Sequence, residues 1–149
     1  MLMTKNVTDI LNSTIDSVKG VLPFEVSIDQ PSIFKEPYSQ HSIGVLIGMT
    51  GDIRGRLIID GDEATFGSIG EGMFGMKIEG EMLESFAGEL GNMIAGTLST
   101  CISKYEIEMD ITPPSVLVGE LKIYGFENAF RLPIIIQNVG NMAIILMIE

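Results

Sequence analysis

The chain has one cysteine, one histidine and no tryptophan. A single cysteine, Cys101, cannot close an internal disulfide, which fits a reducing cytoplasm. No serine or cysteine can be tied by spacing to the lone His41, so a nucleophile–base pair has no support. Zinc-type ligand spacing and a phosphate-cradling GxxxxGK loop are both absent. Basic residues are scarce, with nine Lys and Arg against twenty Asp and Glu for a net charge of −11. They are scattered rather than clustered, which excludes nucleic acid as an expected partner. Apolar residues reach 46% of the chain, yet no run approaches the roughly 18–20 residues of a membrane span. The opening MLMTKNVTDILN has no continuous apolar stretch of the signal-peptide kind. The expectation is a soluble, cytoplasmic protein with no membrane partner, its 149 residues forming a single domain over 1–149.

Periodicity supplies the elements. Val7, Ile10, Leu11, Ile15 and Val18 recur at helical spacing, predicting a helix over about 5–20 that stops at Gly20. Strand-like stretches follow at about 24–35, at SIGVLIGM (42–49) and at IRGRLIID (53–60), the last two joined by a turn at Thr50-Gly51. Asp62 can cap a short helix over 62–74 carried by Ala64, Phe66, Ile69 and Met73. A long helix runs over about 80–104, and after Pro113-Pro114 come strand candidates at 115–125, 129–138 and 141–148. Pro133 places a bulge or a locally free edge in the middle one. The order α-β-β-β-α-α-β-β-β reads as an α/β (α+β) protein with a largely antiparallel sheet covered on one face by helices. It hints at two related halves, as GDIRGRLIID (51–60) laid over GNMAIILMIE (140–149) aligns Gly51 with Gly140, Leu57 with Leu146 and Ile59 with Ile148.

The long helix, ESFAGELGNMIAGTLS over 84–99, is salted with glycine. Leu83, Phe86, Ala87, Leu90, Ile94, Leu98 and Cys101 mark its core side. Ser85, Gly88, Glu89, Asn92, Gly96 and Ser99 fall opposite, with Glu89 and Asn92 projecting as neighbours three residues apart. An outward Glu and Asn are what a solvated face ordinarily shows. Each glycine, however, loses about 0.8–1 kcal/mol of helix propensity against alanine. A small-walled face with two tall polar side chains suits close approach by another body.

ESFAGELGNMIAGTLS followed by DITPPSVLVGE resembles the signature of the CheC/CheX/FliY family of chemotaxis phosphatases. That signature has a Ser or Asp, a Glu four positions on, an Asn three after that and a Pro about 22 residues downstream; here these are Ser85, Glu89, Asn92 and Pro114. MTGDIRGRLIID and FGMKIEGEML stand in the expected order before it, and the single-site, CheX-like branch is the nearest match. The resemblance implies a CheC-like fold and hydrolysis of the phosphoryl-aspartate on a CheY-type response regulator. It implies Asn92 holding the water and Glu89 docking to a receiver lysine, with Ser85, Gly88, Gly96 and Pro114 meeting the partner. It further implies a homodimer, for which the apolar strand AIILMIE, taken as an edge, speaks independently. No metal or cofactor belongs to this chain, and the Mg2+ is the receiver's.

Asp9 and Asn12 on the first helix repeat the three-residue spacing, where a two-site family member would carry Glu and Asn. Here Asp stands for Glu and Lys5 for the Ser or Asp, so a structural reading is preferred. Asp60, Asp62 and Glu63 read as turn and cap residues, Cys101 as a buried small hydrophobe, and most of the ten methionines as core filler. Two alternatives stay open: a non-catalytic adaptor on a receiver domain or flagellar switch, and a small-ligand sensor using the sheet face.

Overall fold

The computed structural model describes residues 2–35, 37–40 and 42–149, with side chains from residue 7 onward; His41 and the Lys5 side chain lie outside the described residues. The chain runs α1 (Leu2–Val21), β1 (Val26–Ile28), β2 (Ser32–Lys35), β3 (Tyr38–Gln40), β4 (Ile43–Gly51), β5 (Gly55–Gly61), α2 (Glu63–Phe74) and α3 (Gly80–Ile102). A 3-10 turn (Ser103–Tyr105) then leads to β6 (Met109–Ile111), β7 (Ser115–Val118), β8 (Leu121–Ile123), β9 (Asn128–Ile136) and β10 (Gly140–Ile148).

Alternation in β4 sends Ile43, Val45, Ile47 and Met49 to one face, joined by Leu57 and Ile59 of β5 and by Ile144 and Leu146 of β10. The three helices close over this face with Ile10, Val18, Phe66, Ile69, Leu90, Ile94 and Leu98, forming the main core. Asp62 caps α2 as expected, its Oδ1 accepting from the Thr65 N–H at 2.7 Å. Ala64 is exposed, and Thr65 takes the buried place beside Phe66.

The sheet is antiparallel in the order β1-β9-β10-β5-β4-β6, with β2 also pairing β9 and β7 also pairing β4. Exchanging β4–β5 with β9–β10 maps this pattern onto itself, so the two related halves are present in the backbone. The equivalent glycines are Gly55 and Gly140, not Gly51 and Gly140. Each opens its strand at positive φ, 154° and 152°, a region that side chains rarely adopt. The turn between β4 and β5 accordingly falls on 52–54, and Thr50-Gly51 belong to β4.

The six strand expectations resolve into ten among the described residues. The stretch at 24–35 breaks into β1 and β2 around Pro31, and 115–125 breaks into β7 and β8 at Gly119, whose φ is 101°. Pro133 sits where β1 ends and β2 has not begun: Asp29 N–H donates to its carbonyl at 3.1 Å, so its nitrogen faces the same gap. AIILMI is no edge. It is most of β10, central between β9 and β5 and buried on both faces. On the far face, β3 and β8 pair as a separate ribbon, and Tyr38, Phe34, Ile123 and Phe126 cover Ile58, Ala143, Ile145 and Met147.

Candidate active site on helix α3

Helix α3 is held at fixed height over the sheet by its glycines. A methyl group at Gly91 would come within 2.6 Å of Val45 Cγ1, and one at Gly88 within 3.0 Å of Val116 Cγ2. Both positions are buried, so Gly88 is a packing residue against β7 and does not line the exposed face as the sequence pattern suggests. At Gly96 the added methyl would meet no heavy atom within 4 Å. Of these three glycines, only that one leaves a surface open.

Ser85 and Glu89 are exposed, and Asn92 and Gly96 half-exposed, along one side of the helix. Glu89 and Asn92 make no hydrogen bond or ion pair among the described residues. Both heads are thus free to engage another molecule. Beside Asn92 an open hollow is lined by Val21, Met93, Gly96, Thr97 and Thr100. Pro114 is half-buried just ahead of β7, whose Val116 seats against Gly88. Ser99 turns away from solvent duty and donates to the Met109 carbonyl at 2.6 Å. Cys101 is half-buried, and Ile102 takes the core position expected for it.

Helix α1 packs against α3 through small hydroxyl residues. Ser17 Oγ donates to the Ile94 carbonyl and Thr14 Oγ1 to the Ile10 carbonyl, both at 2.6 Å. The buried arc extends to Asp9, only 7% exposed, while Asn12 stays in solvent. The same three-residue spacing therefore gives a presented pair on α3 and a divided one on α1. Asp60 accepts a hydrogen bond from Tyr38 Oη. No group of three or more His, Cys, Asp and Glu side chains among the described residues is arranged to hold a metal, and no described helix is long and apolar enough to cross a membrane.

What sequence reasoning missed is apolar. Met76, Met82 and Met93 are exposed, as is Phe74, so the methionines divide between core and surface. Helical phase could have flagged Met82 and Met93, which share the stripe of Glu89.

Three helices over one face of an antiparallel sheet with two related halves, one helix presenting an acidic and an amide side chain, make a CheC-like architecture. The profile of the family described as Chemotaxis phosphatase CheX matches residues 43–136. A CheY-P phosphatase CheX from Thermotoga maritima is 35% identical over 132 residues, covering 86% of this chain and 85% of that protein. Among solved structures, a CheC-like superfamily protein from Shewanella sp. PV-4 superposes with a TM-score of 0.79 at 25% identity, covering 97% of both chains. The CheX–CheY–BeF3–Mg+2 complex from Borrelia burgdorferi gives 0.78 at 22% identity, over 96% of this chain and 97% of that one. The chain belongs to the CheX family of chemotaxis phosphatases.

Proposed function

We propose that this protein hydrolyses the phosphoryl-aspartate of a CheY-type receiver domain, with α3 laid against the receiver's phosphorylated site. The observation that carries the reading is the Glu89–Asn92 pair, outward and without partners among the described residues, on a helix face that Gly96 leaves low. The Asn92 carbonyl accepts a hydrogen bond from water while its amide donates, which holds the water oxygen in line with phosphorus. That oxygen forms the new bond to phosphorus as the bond to the aspartyl oxygen breaks. The water proton leaves with inorganic phosphate, and the receiver carboxylate is regenerated. Glu89 pairs with a receiver lysine and fixes the register of docking. The Mg2+ that neutralises phosphoryl charge is the receiver's. A homodimer in the cytoplasm accompanies this reading; with β10 in the sheet interior, the dimer rests on the family resemblance alone.

Phosphate release from a phosphorylated receiver, followed with catalytic amounts of this protein, tests the proposal. Asn92→Ala is expected to lower single-turnover rate about 10²–10³-fold while affinity for the beryllofluoride-loaded receiver is retained. An equal fall in affinity and rate makes Asn92 a docking residue. Acceleration only in proportion to complex formed makes the protein an adaptor.

A further inference from the structure

The presented side of α3 carries large apolar side chains that the core does not use. Met82 is 57% exposed and Met93 38%, while Phe74 and Met76, where α2 gives way to α3, are 61% and 55% exposed. At about 100° per residue, Met82, Glu89 and Met93 fall within about 40° of one another, so the methionines bracket Glu89 on one stripe. Phe74 packs on the same helix. Its ring meets Phe86 edge-on with centroids 5.7 Å apart, and Phe86 lies one turn beyond Met82. Gly75, capping α2 with its N–H on the Glu71 carbonyl, ends that helix immediately after the ring.

We propose that Met82 and Met93, extended by Phe74 and Met76, form an apolar ledge that binds the receiver surface around its phosphorylated aspartate. The ledge sets affinity and receiver choice, while Glu89 and Asn92 act at the phosphoryl group. The inference rests on the reading given under Proposed function. Size argues for it: an interface burying about 800 Å² per partner is a disc of about 16 Å radius. At about 1.5 Å per residue, such a disc centred on Glu89 and Asn92 reaches about ten residues each way along α3. A receiver that reaches the pair must cover both methionines. Exposed apolar groups at the centre of such a contact are the ones that carry binding energy, and unbranched methionine adapts to its partner. Charge selects the same occupant over a second copy of this chain. Helix α3 carries Glu81, Glu84 and Glu89 and no Lys or Arg, on a chain of net charge −11, which favours a partner presenting lysine and opposes self-association through this face.

The test compares the wild-type protein with a Met82→Gln/Met93→Gln double variant on a CheY-type receiver phosphorylated by acetyl phosphate. Glutamine keeps length and helix propensity, and both sites are exposed, so thermal stability should be unchanged. KM is expected to rise about tenfold with kcat within about twofold, the signature of lost uniform binding. Phe74→Gln, measured separately, should raise KM about threefold. A KM unchanged in the double variant overturns the ledge, as does a change in sedimentation with KM unchanged, which would make the face a self-association surface. If the wild type turns over no receiver, the phosphatase reading fails. The ledge is then judged by Kd for the beryllofluoride-loaded receiver: a tenfold loss in the double variant upholds it, and an unchanged Kd overturns it.

Discussion

Glu89 has no charge partner among the described residues and stands between two exposed methionines, so its carboxylate is free to pair with a receiver lysine. Glu89→Gln keeps the shape and removes the charge. Its affinity for the phosphorylated receiver should fall about tenfold at low salt, and the slope of log Kd against log salt should flatten. Equal affinity across the salt series would end the ion-pair assignment. The three glycines of α3 separate by what their missing methyl would meet. Gly91→Ala drives a methyl into Val45 and should lose about 1–3 kcal/mol, whereas Gly96→Ala meets nothing within 4 Å and should gain about 0.5–1 kcal/mol from helix propensity. Urea unfolding of the two variants checks both signs. At this scale the sequence disclosed the outward pair, because phase along a long helix is reliable. It did not disclose that Gly88 is buried, since that depends on β7, a strand 27 residues further on whose height no helical wheel contains.

The strands show the complementary limit. Most of the long strands was readable, as 42–49 and 141–148 for the strands that span 43–51 and 140–148, but strands of three or four residues carry too few alternations to announce themselves. The β3–β8 ribbon is the main case, and it explains why β10 can be apolar on both faces without being an edge. Tyr38 ties the ribbon down. Burial pushes its phenol far above the ordinary value of 10.0, and the hydrogen bond and negative charge of Asp60 push the same way, against a smaller lowering by Arg131. A group whose folded pKa is raised contributes stability that is fully present below its unfolded pKa and is lost as pH climbs above it. Wild-type stability should therefore hold up to about pH 10 and decline above it through this group. Tyr38→Phe should be less stable at pH 8 by about 1–2 kcal/mol, with a shallower alkaline decline. Urea midpoints of both proteins between about pH 8 and 11.5 decide it: parallel curves would remove Tyr38 as the buried proton.

At the scale of the molecule, the backbone is two-fold while the chemistry is not. Exchanging the halves carries α3 onto α1, and Glu89 and Asn92 onto the matching spacing of Asp9 and Asn12. On α3 the acid faces solvent. On α1 it is turned into the seam with α3, 7% exposed, where Asp9 Oδ2 and Ser13 Oγ have no hydrogen-bond partner among the described residues. The sequence showed the repeat of spacing; it could not show the burial, because the hydroxyl face of Ser13, Thr14 and Ser17 reads as polar and yet is what α3 packs against. A carboxylate held there cannot pair with a lysine on a docked receiver, and Asn12 alone would have a water to hold but no register. One site per chain is therefore expected. Asn12→Ala, an exposed change to a better helix former, should leave stability and kcat/KM within about twofold of wild type, against the loss of about 10²–10³-fold expected for Asn92→Ala. Titration with beryllofluoride-loaded receiver should saturate at one receiver per chain, and Asn12→Ala should not alter that ratio. A folded Asn12→Ala protein with turnover as low as Asn92→Ala, or a ratio of two receivers per chain, would restore α1 as a second site and make the exposed α3 pair only half of the machinery.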